Sequence, residues 1–467
     1  MPEQVATGVP GLDEVLLGGL GQGHAVLIEG SPGTGKTTLG LQMIYHGVVD
    51  SNEPALIVTF EEMPQRMIAD AANFGWDLQS LIDSGKLRLI STSPKVFQEQ
   101  MTSSTGAIYK MALDMEAKRI LVDSVSHFER VAESSANHRE LFNALTNRLR
   151  NAGFTALLTK EVKGLSTEEL SFEEYVVDSC VRVSFLPDQS RGRKLQVVKA
   201  RGQDFLYGLH SMKISSTGVE VFPNRLKVLG EEPDLPEDQR YETGVEGLDE
   251  MLYGGLLQGT CCLVAGSAGT GKSLLGISFL SVGARLKQPG LLVTFVESPE
   301  KARAMAIKTE NPLPEDQVDI MYVPMVNLDP YEVTHRIRQA CEQRPYKRLV
   351  IDSLEELRPG EPDEQKFKEL IFSFTGYARA QGVTQLLIDS LPNSTEILSA
   401  TEAKIAFVMD TIITLRHTEV GSQIKSGVAV PKMRGSQHNR DVRRFQIGST
   451  GLQVDTRQRA IYPKMEL

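Results

Sequence analysis

A long-range internal repeat is the sequence feature that most restricts how this chain can fold. Residues 7–21 read TGVPGLDEVLLGGLG, and residues 243–257 read TGVEGLDEMLYGGLL. A second matching pair follows, GSPGTGKTT at 30–38 and GSAGTGKSL at 266–274. In both pairs the two copies are 236 residues apart. Similarity that keeps its register in this way predicts two homologous domains.

The repeat also predicts where the domains begin and end. Asp123 and Asp352, in the matching segments VDS and IDS, are still 229 residues apart. Between the copies, residues 230–240 read GEEPDLPEDQR, and prolines and acids without apolar periodicity are typical of a solvated linker. We predict an N-terminal domain over residues 1–229, a linker over 230–240 and a C-terminal domain over 241–467.

Each copy alternates short apolar runs with longer helical patterns. The runs lie at 24–30, 55–60, 119–124 and 155–160, and then at 261–266, 291–296, 348–353 and 384–389. Strands that are apolar throughout suit a parallel sheet that helices cover on both faces. The sequence therefore predicts an α/β fold of the P-loop type, with a mainly parallel central sheet in each domain.

Composition limits the class of protein. The 467 residues are 41% hydrophobic and 24% charged, as in a soluble globular protein. A net charge of −10 disfavours a broad nucleic-acid-binding surface, although a small basic loop inside a ring is compatible with it. The four cysteines form no metal-like cluster, and we expect neither a signal peptide nor a membrane span. The sequence predicts a cytoplasmic protein.

The pattern GxxxxGK[ST] at 30–37 and 266–273 predicts two phosphate-binding loops. Glycines let backbone N–H groups curl around a phosphate, and the following helix adds the positive end of its dipole. Lys36 and Lys272 are expected to reach the β- and γ-phosphates of ATP, while Thr37 and Ser273 hold Mg²⁺. The predicted nucleotide-binding residues are Ser31, Gly33, Thr34, Gly35, Lys36, Thr37 and Thr38, with Ser267, Gly269, Thr270, Gly271, Lys272, Ser273 and Leu274 in the second copy.

An acid at the end of one strand completes each predicted metal site. Asp123 and Asp352 each end an apolar run and are followed by Ser. From such a position an acid meets Mg²⁺ through water. An isolated Asp there is usually a turn residue, but its recurrence beside both P-loops favours metal binding.

Further acids follow the run at 55–60. Glu61 and Glu62 lie where ligands bind an α/β sheet, and a carboxylate there can polarise the water that attacks the γ-phosphate. The alternative is a pair of acids that starts a helix. The second copy reads VTFVES, so Val296 replaces Glu61 and only Glu297 is kept. This asymmetry predicts that the N-terminal domain is the surer hydrolase.

A matching KxRG segment lies near the end of each domain. Lys199 and Arg201 come from KARG at 199–202, and Lys432 and Arg434 come from KMRG at 432–435. Neither segment is near its own P-loop in sequence. Basic residues in such a place could serve a neighbouring subunit's nucleotide, as arginine fingers do, or could be solvated turns.

These motifs, with EEYVVDS at 173–179 and MDTIITL at 409–415, resemble the KaiC family of cyanobacterial clock ATPases and their bacterial and archaeal relatives. The resemblance covers nearly the whole chain. It implies two RecA-like domains that stack as a double-ring homohexamer with ATP between subunits. It also implies an ATPase in the N-terminal domain and a serine/threonine autokinase in the C-terminal domain.

The resemblance also implies roles for single residues. Lys199, Arg201, Lys432 and Arg434 would act across the subunit interface. Asn73 would lie near the base of the N-terminal nucleotide. His438 would contact the C-terminal nucleotide, and Phe205 replaces that histidine in the first copy.

Departures from the family pattern weaken the kinase prediction. The two usual phosphoacceptor positions hold Ala406 and Phe407, which bear no hydroxyl, and Ser399 and Thr401 are nearby substitutes. Only sixteen residues follow Gly451, so binding of a KaiA-like partner is not expected. A KaiB-like protein stays a candidate partner.

Three hypotheses follow from the sequence. The first is a Mg²⁺-dependent ATPase whose slow cycle sets the conformation of a homohexamer, as a regulator or timer. The second keeps an autokinase with a non-standard acceptor. The third is a RecA- or RadA-like DNA-dependent ATPase, which the acidic balance disfavours. In the first hypothesis, the C-terminal domain either hydrolyses ATP or binds it mainly to hold the ring together.

Overall fold

A computed structural model describes residues 3–162, 171–185, 192–224, 238–326, 328–390, 405–420 and 423–459. The chain divides into two compact units, Met1–Asn224 and Arg225–Leu467. Most of the predicted linker, residues 230–240, lies outside the described residues, so its bounds stay a prediction. Within the described ranges, no helix combines the length and the hydropathy that a membrane span requires.

The N-terminal unit has the following helices and strands in chain order: β1 (Gln4–Val5), α1 (Leu12–Val15), β2 (Leu20–Gly21), β3 (Ala25–Gly30), α2 (Lys36–Val49), β4 (Ala55–Thr59), α3 (Pro64–Ala72), α4 (Leu78–Asp83), β5 (Leu87–Ser91), α5 (Pro94–Thr102), α6 (Ala107–Asp114), β6 (Arg119–Asp123), α7 (Phe128–Val131), α8 (Ser135–Asn151), β7 (Thr155–Glu161), α9 (Phe172–Val176), β8 (Ser179–Phe185), β9 (Arg193–Ala200), β10 (His210–Ser215) and β11 (Gly218–Phe222).

The C-terminal unit repeats this plan with the following elements: β12 (Arg240–Tyr241), α10 (Glu246–Met251), β13 (Leu256–Leu257), β14 (Cys261–Gly266), α11 (Lys272–Arg285), β15 (Gly290–Thr294), α12 (Pro299–Lys308), β16 (Val318–Tyr322), α13 (Pro330–Gln343), β17 (Arg348–Asp352), α14 (Glu364–Ala380), β18 (Thr384–Ser390), β19 (Thr411–Val420), β20 (Gln423–Met433), β21 (Arg443–Gly448) and β22 (Gly451–Arg459). Short 3-10 turns follow β6 at Val125–His127 and β17 at Leu354–Gly360.

Each unit has one nine-stranded sheet. The N-terminal order is β11-β10-β9-β8-β3-β7-β6-β4-β5, and the C-terminal order is β16-β15-β17-β18-β14-β19-β20-β21-β22. The strands from β8 to β5 and from β16 to β19 pair in parallel. The last three strands of each unit extend the sheet in antiparallel fashion. The predicted α/β fold with two mainly parallel sheets, as in RecA-like domains, is confirmed.

The central strands are apolar throughout because both faces of the sheet are covered. Along β3, Val26 and Ile28 join the core on one face, while Ala25 and Leu27 join the core on the other. Strand β14 divides its residues between two cores in the same way. Successive residues of a strand point to opposite faces, so a strand buried on both sides shows no polar alternation.

A buried arginine begins β6 in the first unit and β17 in the second. Arg119, 2% exposed, donates to Glu53 and to the carbonyls of Met43 and Ala6. Its counterpart Arg348 is fully buried, and its partner side chain is the uncharged amide of Gln288. Burial lowers the pKa of Arg348 to about 10. The equivalent buried arginines therefore have a charged partner in the first unit, Glu53, and a neutral partner in the second, Gln288.

Candidate functional site

The first P-loop leaves β3 at Gly30 and enters α2 at Lys36. Gly33 and Gly35 have φ angles of 79° and 102°, which non-glycine residues rarely adopt. A Cβ at Gly35 would also lie 2.5 Å from Cδ1 of Ile214. No heavy atom lies within 4 Å of the place where a Cβ of Gly33 would project, so the loop is open there. The second P-loop repeats this geometry, with φ angles of 78° and 88° at Gly269 and Gly271.

Each P-loop lysine folds back over its own loop. Nζ of Lys36 donates to the Ser31 carbonyl at 3.0 Å, and Nζ of Lys272 donates to the Gly266 and Ser267 carbonyls at 2.6 and 2.9 Å. Burial lowers the pKa of both ammonium groups, while neighbouring carboxylates oppose that shift. The lysines thus hold a partly desolvated positive charge at the mouth of the loop, which suits phosphate oxygens.

Hydroxyl and carboxylate oxygens converge beside the first P-loop. The Thr37 hydroxyl donates to Oδ2 of Asp123 at 3.0 Å, and the Thr159 hydroxyl donates to Oδ1 of the same carboxylate. In the C-terminal unit, Ser273 donates to Asp352, whose pKa is raised by burial. Hard oxygen donors next to a phosphate loop are the donor set that Mg²⁺ prefers, so these residues could hold it.

Sequence reasoning did not single out Thr159. It is a fully buried polar residue within the apolar strand β7, and that interruption is the signal that could have marked it. Its counterpart is Ile388, because Ile28 pairs with Thr159 in one unit and Val264 pairs with Ile388 in the other. Only the N-terminal Asp therefore has two hydroxyl donors among the described residues.

Glu62 and Glu297 are placed by the same local turn. The Thr59 hydroxyl bonds the backbone N–H and the carbonyl of Glu62, at 3.1 and 3.2 Å, and Thr294 does the same for Glu297. Burial raises the pKa of the Glu62 carboxyl, with Asp70 and Asp123 adding to the shift against Arg66. The negative charge of Asp123, the candidate metal ligand, thus helps to raise the pKa of Glu62.

Glu61 is held differently. Its carboxylate is 65% exposed, and its Oε1 lies 3.1 Å from Nη1 of Arg130 and 3.4 Å from Nδ1 of His127. The corresponding residue of the second unit, Val296, is 56% exposed. Glu61 and Glu62, which are adjacent in sequence, therefore have different environments.

The basic pair of the N-terminal unit lies away from its own P-loop. Lys199 pairs with Cys180 on β8, which pairs with Leu27 on β3, whereas the P-loop begins after Gly30. Nζ of Lys199 donates to the carbonyls of Glu174 and Val177 at 2.8 and 2.7 Å. Two strands and about 10 Å along the strand direction separate Lys199 from the loop.

The second basic pair has an equivalent environment. Nζ of Lys432 donates to the Ala406 carbonyl, and the backbone N–H of Arg434 donates to the Asp410 carbonyl at 2.9 Å. Phe407 is 52% exposed beside this pair. The alternative acceptors Ser399 and Thr401 lie outside the described residues.

Two predicted nucleotide contacts lie in contrasting environments. Asn73 is exposed directly after α3. Nε2 of His438 is buried and has no hydrogen-bond partner among the residues that the structure describes. Both roles stay predictions.

The sequence of the chain matches a known protein family. The family model described as the ATPase KaiC matches it twice, over residues 5–226 and 241–459. The chain is 30% identical to the circadian clock oscillator protein KaiC of Picosynechococcus sp., over 97% of this chain and 89% of that protein. It is 31% identical to the protein of the same name from Synechococcus elongatus, over 96% of this chain and 88% of that protein.

Proposed function

The chain belongs to the KaiC ATPase family, as its motifs predicted, and on that premise we propose that it is a Mg²⁺-dependent ATPase with two unequal nucleotide sites. Tandem P-loop domains of this family bind nucleotide. The proposal adds that ATP is hydrolysed, and that the N-terminal domain is the main hydrolase. The bond from Thr37 to Asp123 beside Lys36 is the observation that carries it.

In the N-terminal site, the P-loop backbone and Lys36 would hold the β- and γ-phosphates. The ion held by Thr37 and Asp123 would neutralise charge that develops on the phosphate oxygens. Thr159 fixes the Asp123 carboxylate from its other side. Glu62, half-buried and close enough to sense Asp123, would accept the proton of the attacking water. Glu61 would assist from the more exposed side.

We further propose a homohexamer with nucleotide at the subunit interfaces. The remote position of Lys199 supports this, since a basic pair that cannot reach its own P-loop can reach a neighbour's. Arg201 would stabilise the charge of the transferred phosphoryl group from the adjacent subunit, and Arg434 would do the same in the second domain. Asn73 and His438 would contact the bound nucleotides.

The proposed biological role is slow conformational regulation. The relatives are named circadian clock oscillator proteins, which favours a nucleotide cycle that sets the shape of the assembly and the choice of partner. A KaiB-like protein is the candidate partner. The cytoplasm is the proposed location, as the sequence predicts. Ala406 and Phe407 disfavour an autokinase because neither offers a hydroxyl.

Phosphate release by the full chain with Mg·ATP tests this proposal, together with light scattering with and without nucleotide. We expect turnover and nucleotide-dependent assembly in the wild type, and neither in Lys36→Ala/Lys272→Ala. Unchanged turnover in that double variant would sink the proposal. Stimulation by single-stranded DNA with a steep salt dependence would favour a DNA-dependent ATPase instead. A gain of about 80 Da in intact mass after incubation with ATP would favour the autokinase.

A further inference from the structure

In the loop after β15 the second nucleotide site lacks an acid that the first site has in the loop after β4. The loops after β4 and β15 have the same turn, because Thr59 and Thr294 make matching bonds to Glu62 and Glu297. This register makes Val296 the structural counterpart of Glu61.

The turns after β6 and β17 can be matched in the same way. Both 3-10 turns begin two residues after the strand ends, at Val125 and Leu354, and both of these residues are buried. Phe128 and Leu357, three residues farther on, are also buried. His127 and Glu356 therefore occupy the same position.

These two positions face each other. In the N-terminal unit Oε1 of Glu61 lies 3.4 Å from Nδ1 of His127, so the loop after β4 and the turn after β6 meet at this point. By the register of these two turns, the corresponding residues of the C-terminal unit are Val296 and Glu356. Each unit thus has one carboxylate at this pair of positions: the loop after β4 supplies it in the first unit, and the turn after β17 supplies it in the second.

Glu356 lies in the 3-10 turn Leu354–Gly360, which directly follows β17 and its last residue, Asp352. Its side chain is half-buried, and burial raises its pKa, with Glu355 and Asp352 adding to the shift. Asp352 is the candidate metal ligand, and it also senses Glu297. Asp352 thus raises the pKa of Glu356, as Asp123 raises the pKa of Glu62 in the first unit.

We propose that Glu356 is a catalytic residue of the C-terminal site, where it supplies the carboxylate that Val296 lacks. This inference rests on the proposed ATPase function. In the step, the oxygen of a water bonds to the γ-phosphorus of ATP while the bond from that phosphorus to the bridging oxygen of ADP breaks. The Glu297 carboxylate, the counterpart of Glu62, accepts the water's proton and passes it to solvent, while the Glu356 carboxylate orients that water as Glu61 does in the first site. The second domain is then a hydrolase with a relocated acid, and not only a nucleotide holder.

The test uses the full chain with Glu61→Gln and Glu62→Gln, so that the remaining turnover comes from the C-terminal site. In this background Glu356→Gln should lower kcat for phosphate release about tenfold, by roughly the contribution of a supporting charge at the attacking water. KM should change by less than about threefold, since the P-loop is untouched. The matched control is Glu342→Gln, which changes an exposed acid near the C-terminal end of α13. That end of the helix leads to the start of β17, whereas the P-loop follows the end of β14. That control should leave kcat unchanged.

A rescue experiment separates catalysis from folding. Glu356→His should lose turnover as Glu356→Gln does, and Val296→Glu added to Glu356→His should restore it, because the pair then copies Glu61 and His127. Full turnover in Glu356→Gln would overturn the inference, as would a larger loss in Glu355→Gln than in Glu356→Gln. Absence of turnover in the starting background, when the wild type hydrolyses ATP, would also overturn it. A wild type without turnover would instead remove the proposed function itself.

Discussion

The hydroxyl of Thr37 donates a 3.0 Å hydrogen bond to Oδ2 of Asp123, which joins the first turn of α2 to the end of β6. The two residues are far apart in sequence, and the bond sets the hydroxyl and the carboxylate side by side at the edge of the sheet. These two oxygens would hold a Mg²⁺ ion, whose charge would offset that of the phosphate oxygens.

This geometry predicts the effect of removing either oxygen. Thr37→Ala or Asp123→Asn should lower N-terminal phosphate release by about two orders of magnitude or more, because the metal-binding set loses a ligand. Added Mn²⁺ should restore part of the activity of Asp123→Asn, since Mn²⁺ tolerates a neutral oxygen donor better. Phosphate release at graded metal concentrations is the measurement. Thr105→Ala, in the exposed loop between α5 and α6, is the control. Equal activity in Thr37→Ala and Thr105→Ala would contradict the assignment.

Glu61 and Glu62 should contribute unequally. Glu62→Gln should lower kcat of the N-terminal site more than Glu61→Gln, because Glu62 is half-buried near Asp123 while Glu61 is paired with Arg130 at 3.1 Å. General-base loss corresponds to about 10²-fold or more, and loss of a supporting charge to about tenfold. Single-turnover rates in a Glu297→Gln/Glu356→Gln background measure both. Arg130→Ala tests the pairing independently, since it should alter the effect of Glu61→Gln but not that of Glu62→Gln.

The sequence was sufficient for the repeat, the eight central strands and both P-loops, because glycine and lysine spacing and fully apolar runs are local signals. It did not predict that three antiparallel strands extend each sheet. It also did not predict the contacts of Thr159 with Asp123 or of Glu61 with His127, because these join residues that are adjacent only after neighbouring strands have paired. The loss of an acid at Val296 was visible in the sequence. The structure was needed to identify Glu356 as its replacement, because the loop after β4 and the turn after β6 meet only in the folded protein.

The buried arginines predict opposite effects on stability for two substitutions of their partner side chains. Glu53→Ala should destabilise the N-terminal unit by about 2–4 kcal/mol, because Arg119 would keep a buried charge without its carboxylate partner. Gln288→Glu should stabilise the C-terminal unit by about 1 kcal/mol, because it gives Arg348 a charged partner in place of an amide. Chemical unfolding of each variant measures both changes. A destabilised Gln288→Glu would indicate that desolvation of the new carboxylate outweighs the pairing.

Asp249 predicts a pH dependence of the C-terminal unit. Burial raises its pKa to about 6, despite hydrogen bonds from Thr243 and Gly244. An acid with a folded pKa above its unfolded value favours the folded state while it is protonated, so this contribution is lost as pH rises from about 4 through 6. Asp249→Asn should reduce that loss, on the order of 2 kcal/mol. Thermal unfolding between pH 4 and pH 7 measures it, with Asp316→Asn as an exposed control. Identical pH profiles for wild type and Asp249→Asn would contradict the prediction.

Action of Arg201 on a neighbouring subunit can be tested by mixing two inactive proteins. Both carry Glu297→Gln and Glu356→Gln, so that only N-terminal sites are counted. One adds Lys36→Ala, which disables its own P-loop, and the other adds Arg201→Ala, which disables its basic pair. Each protein alone should hydrolyse ATP at least tenfold more slowly than the shared background.

In a mixed ring, an intact P-loop from the Arg201→Ala subunit can meet the intact Arg201 of a Lys36→Ala subunit. Phosphate release should therefore recover to roughly a quarter of the background rate for random equal mixing. Recovery that depends on the mixing ratio would establish action between subunits. No recovery after verified subunit exchange would show that Arg201 serves its own chain. That result would conflict with the pairing of Lys199 with Cys180, which places this part of β9 away from the P-loop of the same chain.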